Sequence, residues 1–348
     1  MVDISQVTGC LMGGAIGDAL GLPIRYDSFD QIVATYGVNG LNTLVLNENG
    51  VAEISAVTQM TLFTCEGVIW ADIIKKRIGY SDIVSRCFYS YERWLHTQEY
   101  PLADERYYWI LQDERMDLGS PLLKTKELYH RRGPSNTCLQ ALLQAKNQEF
   151  GRIEQPINQS KGCGGLMRTA PIGLSFSKSP KKAFEAGCKV AAITNTHPTG
   201  YYTAGALSAI ISYLVNGVSI QKAAKETLAI LKYCSASEET IDAIKAALKS
   251  AGEEPKSSAR KKELGEGFVA DEALAIALYS AISYEEEYEE AIKFSINHNG
   301  NSNVTGALCG TLIGTKVGIH RINKEWQTQI ECSDVIMDMS SRLHKIIN

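Results

Sequence analysis

A chain of 348 residues with a formal net charge of −4 and no basic run offers no electrostatic surface for nucleic acid. Its 45% hydrophobic share is that of a soluble globular protein, in one large domain or two medium ones, with no apolar run approaching a membrane span. Nine cysteines, an odd number without metal-type spacing, and no secretory leader point to a reduced cytoplasm.

The first predicted element is a helix over residues 9–21. Gly9, Gly13, Gly17 and Gly21 recur every four residues and share one face. Each glycine inside a helix costs about 1 kcal/mol relative to alanine. Four of them imply that another backbone or a ligand comes closer than a Cβ allows. Cys10, Leu11, Met12, Ala15, Ile16, Ala19 and Leu20 make the rest apolar, which predicts burial on most sides. Asp18 is the one charge inside the helix, read as reaching out to water, and Pro23 ends it.

Residues 27–49 lack a helical period and read as an irregular loop or short hairpin. A helix opens after Ser55, a suitable N-cap, and runs through Trp70 towards Ile74; residues 81–95 form another. Residues 100–129, with many charges and Tyr107, Tyr108 and Trp109, read as mixed surface. Residues 136–146 are helical, and Ser179 caps a helix opened by Pro180. Residues 200–215 form a buried Ala-rich helix, and Ser219 and Ser237 open two more, the second with Glu238 and Glu239 in its first turn. Residues 251–262 contain Gly252 and Pro255 and read as a surface loop. Amphipathic helices follow at 270–282 and 285–294, with the acidic run at 284–290 as a solvated face. Residues 303–318 form a second small-residue helix, with Gly306, Gly310 and Gly314 four apart. Buried small-residue helices at both ends and amphipathic ones between predict a compact all-α bundle, one domain over 1–348.

The opening Gly13-x-x-x-Gly17-Asp18-Ala19-x-Gly21 resembles the signature of the ADP-ribosylglycohydrolase family. That family includes the dinitrogenase-reductase-activating glycohydrolase and the ADP-ribosyl-arginine and ADP-ribosyl-serine hydrolases. Segments 55–64, 132–139, 162–171, 196–200, 264–274 and 297–306 follow in the family's order, so the resemblance spans nearly the whole chain. It implies an orthogonal helical bundle with a pair of magnesium ions in a central cleft. The ions would be held by a Glu after the glycine helix, a Ser/Thr-Asp-Asp triplet and an Asp-x-Asp-Ser/Thr triplet. A hard cation needs such oxygen ligands, and the pair would orient a ribose and a water at the glycosidic carbon.

Carried over by position, the Glu falls on Arg25, the first two Asp on Ala56 and Val57, and the second two on Asn301 and Asn303. Ser55 keeps the first hydroxyl and Val304 replaces the second. Five carboxylates have become one cation, two apolar groups and two amides, a change of about six charge units. Residues 58–61 and 305–306 hold the register on either side; other acids, Glu53, Glu66 or Asp18, would have to supply ligands under a different alignment. The family's Gly-Asn-Gly phosphate loop reads Gly162-Cys163-Gly164, with Gly165 and Arg168 kept. Its Thr-His-x-His reads Thr194-Asn195-Thr196-His197, which leaves His197 as a structural residue before Pro198. His96, His130, His298, His320 and His344 show no metal-type spacing. Cys163 is either a small packing residue in the vacated Asn position or a nucleophile activated by Arg25 or His197.

The expectation is a degenerate member of the family that keeps the fold and works without magnesium or another cofactor. It would bind an ADP-ribose-like ligand, an ADP-ribosylated protein, an ADP-ribosyltransferase or a second copy of itself. The alternatives are a hydrolase with a rebuilt metal site, a metal-free one using Cys163, Arg25, Asn301 or Asn303, and a purely structural role. Arg25 is expected beside Asn301 and Asn303, where the metals' charge would stand.

Overall fold

The computed structural model describes residues 1–98, 107–110, 119–145, 149–254 and 256–348. Within them the chain forms α1 (Ile4–Gly21), α2 (Phe29–Tyr36), α3 (Ala56–Ile78), α4 (Ile83–Thr97), α5 (Asn136–Gln144), α6 (Ala170–Ser175), α7 (Pro180–Ala192) and α8 (Pro198–Leu214). It continues through α9 (Ile220–Leu231), α10 (Glu238–Ala251), α11 (Ser258–Glu263), α12 (Ala270–Ser283), α13 (Tyr288–Ile296), α14 (Ser302–Val317), α15 (Lys324–Gln329) and α16 (Ser333–Ile347). Besides short 3-10 turns, isolated bridges join Ala52 to Ile330 and Gly162 to Val269, and the fold is all-α.

The axis of the fold is the antiparallel pair α1 and α14. Their glycine stripes face each other along the whole contact. A methyl group on Gly9, Gly13 or Gly17 would fall under 3.0 Å from the carbonyl oxygen of Gly314, Gly310 or Gly306 respectively, and the reverse substitutions meet Gly9, Gly13 and Gly17 in turn. The close approach implied by the first stripe is therefore to the second backbone. From Val7 to Gly21 every residue is buried. The stretch Ile4–Ile24 is in fact long and apolar enough to cross a membrane by length and composition, which corrects the sequence expectation, but 83% of its apolar window is buried inside the fold.

Several local expectations are corrected. Residues 27–49 contain α2, which Ser28 and Gln31 open with a reciprocal capping box. Ser179 makes no side-chain cap bond, and the fixed φ of Pro180 opens α7 without one. The 251–262 stretch contains α11, and Lys261 on it is buried, its Nζ donating to Phe294 O (2.5 Å) and Asn297 O (2.7 Å) at the end of α13. Residues 100–106 and 111–118 of the 100–129 stretch, and Lys146 at the end of the predicted 136–146 helix, lie outside the described residues.

Three chain ends meet at the cleft. The C-terminus of α1 abuts the start of α14, where a methyl on Gly21 would collide with Ser302 O and the Asn303 backbone. The N-terminus of α3 is tied to α1 by side-chain bonds, and the 297–301 turn is tied to the chain after α1 by Tyr26 N to Gly300 O (2.8 Å) and Phe29 N to Asn299 Oδ1 (2.7 Å).

Candidate functional site

Asp18 occupies the cleft floor and is completely buried, which corrects its reading as a charge reaching to water. Its carboxylate accepts five hydrogen bonds: from Ser55 N (2.8 Å), Ser55 Oγ (2.6 Å), Thr58 N (3.3 Å), Thr58 Oγ1 (2.7 Å) and Asn303 Nδ2 (3.0 Å). The start of α3 supplies four of these donors, because Ser55 as N-cap and Thr58 one turn later turn the same way. Burying a carboxylate is costly unless such donors surround it. Ala56, Val57 and Val304 pack, buried, around this network.

The two amides that replace acids behave alike. Asn303 Nδ2 faces Asp18 and also Ser55 Oγ (3.1 Å), and Asn301 Nδ2 donates to Gly267 O (3.1 Å). The carboxylate and the carbonyl can only accept, so each amide must present its nitrogen there. Both Oδ1 atoms are then left buried, with no hydrogen-bond partner among the described residues. An unpaired buried acceptor costs about 1–3 kcal/mol, so each marks a place where a donor is expected.

Arg25 does not join Asn301 and Asn303 as expected. Among the described residues its hydrogen bond runs from Nη1 to Gly133 O (3.3 Å), and its guanidinium lies 4.4 Å over the ring of Tyr26. Tyr26, at φ 77°, stacks on Phe268 with ring centroids 5.8 Å apart, and both rings are exposed. A cation, two aromatic faces and the 133 turn thus line one margin of the cleft.

The glycine loop packs against the 267–268 turn through Cys163. Asn195 Nδ2 donates to Gly162 O and Ser160 Oγ, both at 3.2 Å, so the residue in the lost His position ties the loop down. Gly164 and Gly165 admit no side chain, for a methyl would press under 3.0 Å onto Cys138 Sγ and Ala191 Cβ. Arg168 is fully buried, over the Tyr91 ring (4.1 Å) and donating to Thr194 Oγ1 (2.9 Å). His197 caps α8, its Nδ1 accepting from Thr199 N (3.2 Å). The Cys163 thiol points at Gly267 O (3.3 Å), and burial, with Asp271 and Glu272 behind it, pushes its pKa well up against the smaller opposing pull of Arg25. It stays a protonated thiol, which suits a packing group and not a nucleophile.

One carboxylate already carrying five donors, with two amide oxygens beside it, does not fit the magnesium pair that the resemblance implies. No group of three or more His, Cys, Asp or Glu side chains able to hold a metal occurs among the described residues. Thr58, Tyr26, Gly133, Gly267 and Phe268 were not singled out from the sequence. Only Thr58 carried a local signal, lying one helical turn after the Ser55 cap.

A family model described as ADP-ribosylglycohydrolase matches residues 2–348. Among solved structures the chain is similar to an "ADP-ribosylglycohydrolase-related protein complex", at 16% identity and a TM-score of 0.62, with 99% of each chain covered. That likeness is one of fold. No curated protein matched the chain. A match from one end to the other, on an all-α fold, places the chain in the ADP-ribosylglycohydrolase family.

Proposed function

We propose that this protein is a degenerate ADP-ribosylglycohydrolase that binds an ADP-ribose-like ligand, free or on an ADP-ribosylated protein, without dimetal hydrolysis. The observation that supports this reading is the cleft floor, where the Asp18 carboxylate is saturated and the Oδ1 atoms of Asn301 and Asn303 are buried with no partner among the described residues. Neutral acceptors suit the hydroxyls of a ribose, whereas bare metal ions would need several free carboxylates. At the margin, Arg25 offers a guanidinium to a phosphate, and the Tyr26 and Phe268 rings offer faces to a base. An ADP-ribosyltransferase carrying its own modification would present the same group. All nine cysteines are free, which suits a reduced cytoplasm.

Calorimetry with ADP-ribose tests the binding half. Saturable binding that a chelator leaves unchanged is expected, and no binding at millimolar ligand overturns it. An ADP-ribose release assay on modified arginine and modified serine, with and without Mg²⁺, tests the other half. No release is expected, because the usual source of transition-state stabilisation is missing. Release that a chelator abolishes overturns it.

A further inference from the structure

A second cavity lies far from the cleft, at the other end of α3, about 28 Å from Ser55 along that helix. Its volume is 660 Å³, and it opens between the last turns of α3, the first turns of α4 and Trp109. Its walls are aromatic: Trp70 from α3, Tyr89 from α4, and Trp109, which meets Tyr89 edge-on at 5.3 Å. Tyr80 and Ile78 stand exposed at the rim.

Among the described residues, Asp82 is the carboxylate in the lining, and as N-cap of α4 it is occupied by Val84 N (3.2 Å), Ser85 N (3.1 Å) and Ser85 Oγ (2.6 Å). Arg93, deeper in, faces Glu66 at 3.4 Å and lies 4.9 Å over the Trp109 ring. Arg86 stands 5.7 Å over Tyr89, and its Nε is buried with no hydrogen-bond partner among the described residues. Ser81 Oγ, in the same lining, is buried and unpartnered in the same sense. A guanidinium with no ion-pair partner and a hydroxyl with no hydrogen-bond partner among the described residues, beside three aromatic walls, together define a complementary guest. The guest must be planar and apolar over most of its surface and must carry an anionic acceptor at one end.

We propose that this cavity is a second ligand site, separate from the cleft, which takes a planar aromatic group bearing an anionic headgroup. Arg86 holds the headgroup, and Trp70, Tyr89 and Trp109 hold the ring. The volume is that of a site for a ligand of mononucleotide size. Phosphate and carboxylate headgroups share the required chemistry, and the test separates them.

Tryptophan fluorescence of the full chain is followed while AMP or indole-3-acetate is added, with adenosine as the uncharged control. Saturation by at least one anion is expected, with adenosine at least about tenfold weaker. Preference for AMP identifies a phosphate headgroup, and preference for indole-3-acetate a carboxylate. Arg86→Gln should weaken that binding about tenfold or more, and Trp109→Leu should weaken it as well. A loss seen in both Arg86→Gln and Trp109→Leu places the binding at this cavity and not at the cleft, whatever ADP-ribose does there. If neither anion saturates at millimolar concentration, or if a folded Arg86→Gln protein binds as well as the wild type, the proposal is overturned.

Discussion

The glycine seam between α1 and α14 and the cleft floor at its end are built from adjacent residues, yet they obey different rules. In the seam, backbone lies on backbone, and a methyl at Gly17 would fall under 3.0 Å from Gly306 O. Only one residue type fits there. On the floor the requirement is to fill a volume and complete a hydrogen-bond network, and several residue types do that. Asn303 shows how. An acid in its place would set a second carboxylate against Asp18 and require a cation between them. The amide has the same shape and donates to Asp18 at 3.0 Å, so the floor closes without a metal. The difference separates what each region constrains: packing constrains identity, and hydrogen bonding constrains only polarity.

The sharpest way to break this comparison is to place a side chain in the seam. Gly17→Val should cost more than about 4 kcal/mol, because the atom it meets is backbone and cannot move aside. Gly50→Ala is the control. Gly50 also has an unusual backbone, at φ 74°, but nothing stands within 4 Å of an added methyl. It should lose only about 1 kcal/mol. Denaturant midpoints decide, and equal losses at both positions would mean that the seam is not close-packed.

The floor is tested by removing its one acid. Asp18→Ala strands the two hydroxyls, two amide N–H groups and the Asn303 amide that now converge on it. It should destabilise the protein by about 3 kcal/mol, with no rescue by added Mg²⁺. A stabilised Asp18→Ala protein would mean that the carboxylate is a strained relic instead of the centre of the network.

What could be read in the sequence follows the same division. Both glycine stripes were visible as four-residue periods, and the all-α fold followed from them and the amphipathic helices between. Asn303 could be singled out from the flanking motifs, and the structure sets it against Asp18. Side-chain direction was not visible. Asp18 looked like a charge bound for water because nothing in its own helix shows that Ser55, Thr58 and Asn303 converge on it from two other helices. Arg25 was expected at Asn301 and Asn303 on charge alone, but the turn at Tyr26 aims it at Gly133 O. The short helix α2 was missed because its signal is a cap, Ser28 with Gln31, and not a long hydrophobic period.

Lys261 was also hidden, inside the basic run Arg260-Lys261-Lys262 that reads as solvated. Burial pushes its ammonium from 10.5 down to about 7, while its Nζ closes the end of α13 just before the cleft turn. Two titratable neighbours stay neutral from pH 7 upward: burial, then Lys261, pushes His298 down to about 3, and burial pushes the Cys309 thiol far up. Above about pH 7 the unfolded chain holds a proton on this lysine that the folded chain has released, so stability rises with pH towards 10.5. The midpoint of unfolding should gain about 1–2 kcal/mol between pH 7 and 9, and Lys261→Met should flatten that rise. A rise of equal slope in the variant would assign it to other groups. The cleft's frame, like the seam, would then carry no hidden charge.

The smallest effect on stability is expected at Arg25. The guanidinium is half-buried, makes one hydrogen bond at 3.3 Å and lies over an exposed ring, and neither cleft amide depends on it. Arg25→Glu gives up a weak bond and a cation–π contact, together about 1 kcal/mol. Binding should respond differently. If the residue meets a ligand phosphate at the cleft margin, charge reversal replaces attraction by repulsion, and the affinity for ADP-ribose should fall at least about a hundredfold. Thermal melting and calorimetry on one sample separate the two effects. A large loss of stability would mean that Arg25 belongs to the packed frame, with the seam. Unchanged affinity would leave it a bystander on the rim. A small loss of stability with a large loss of affinity would show that the cleft margin keeps a charge for a ligand.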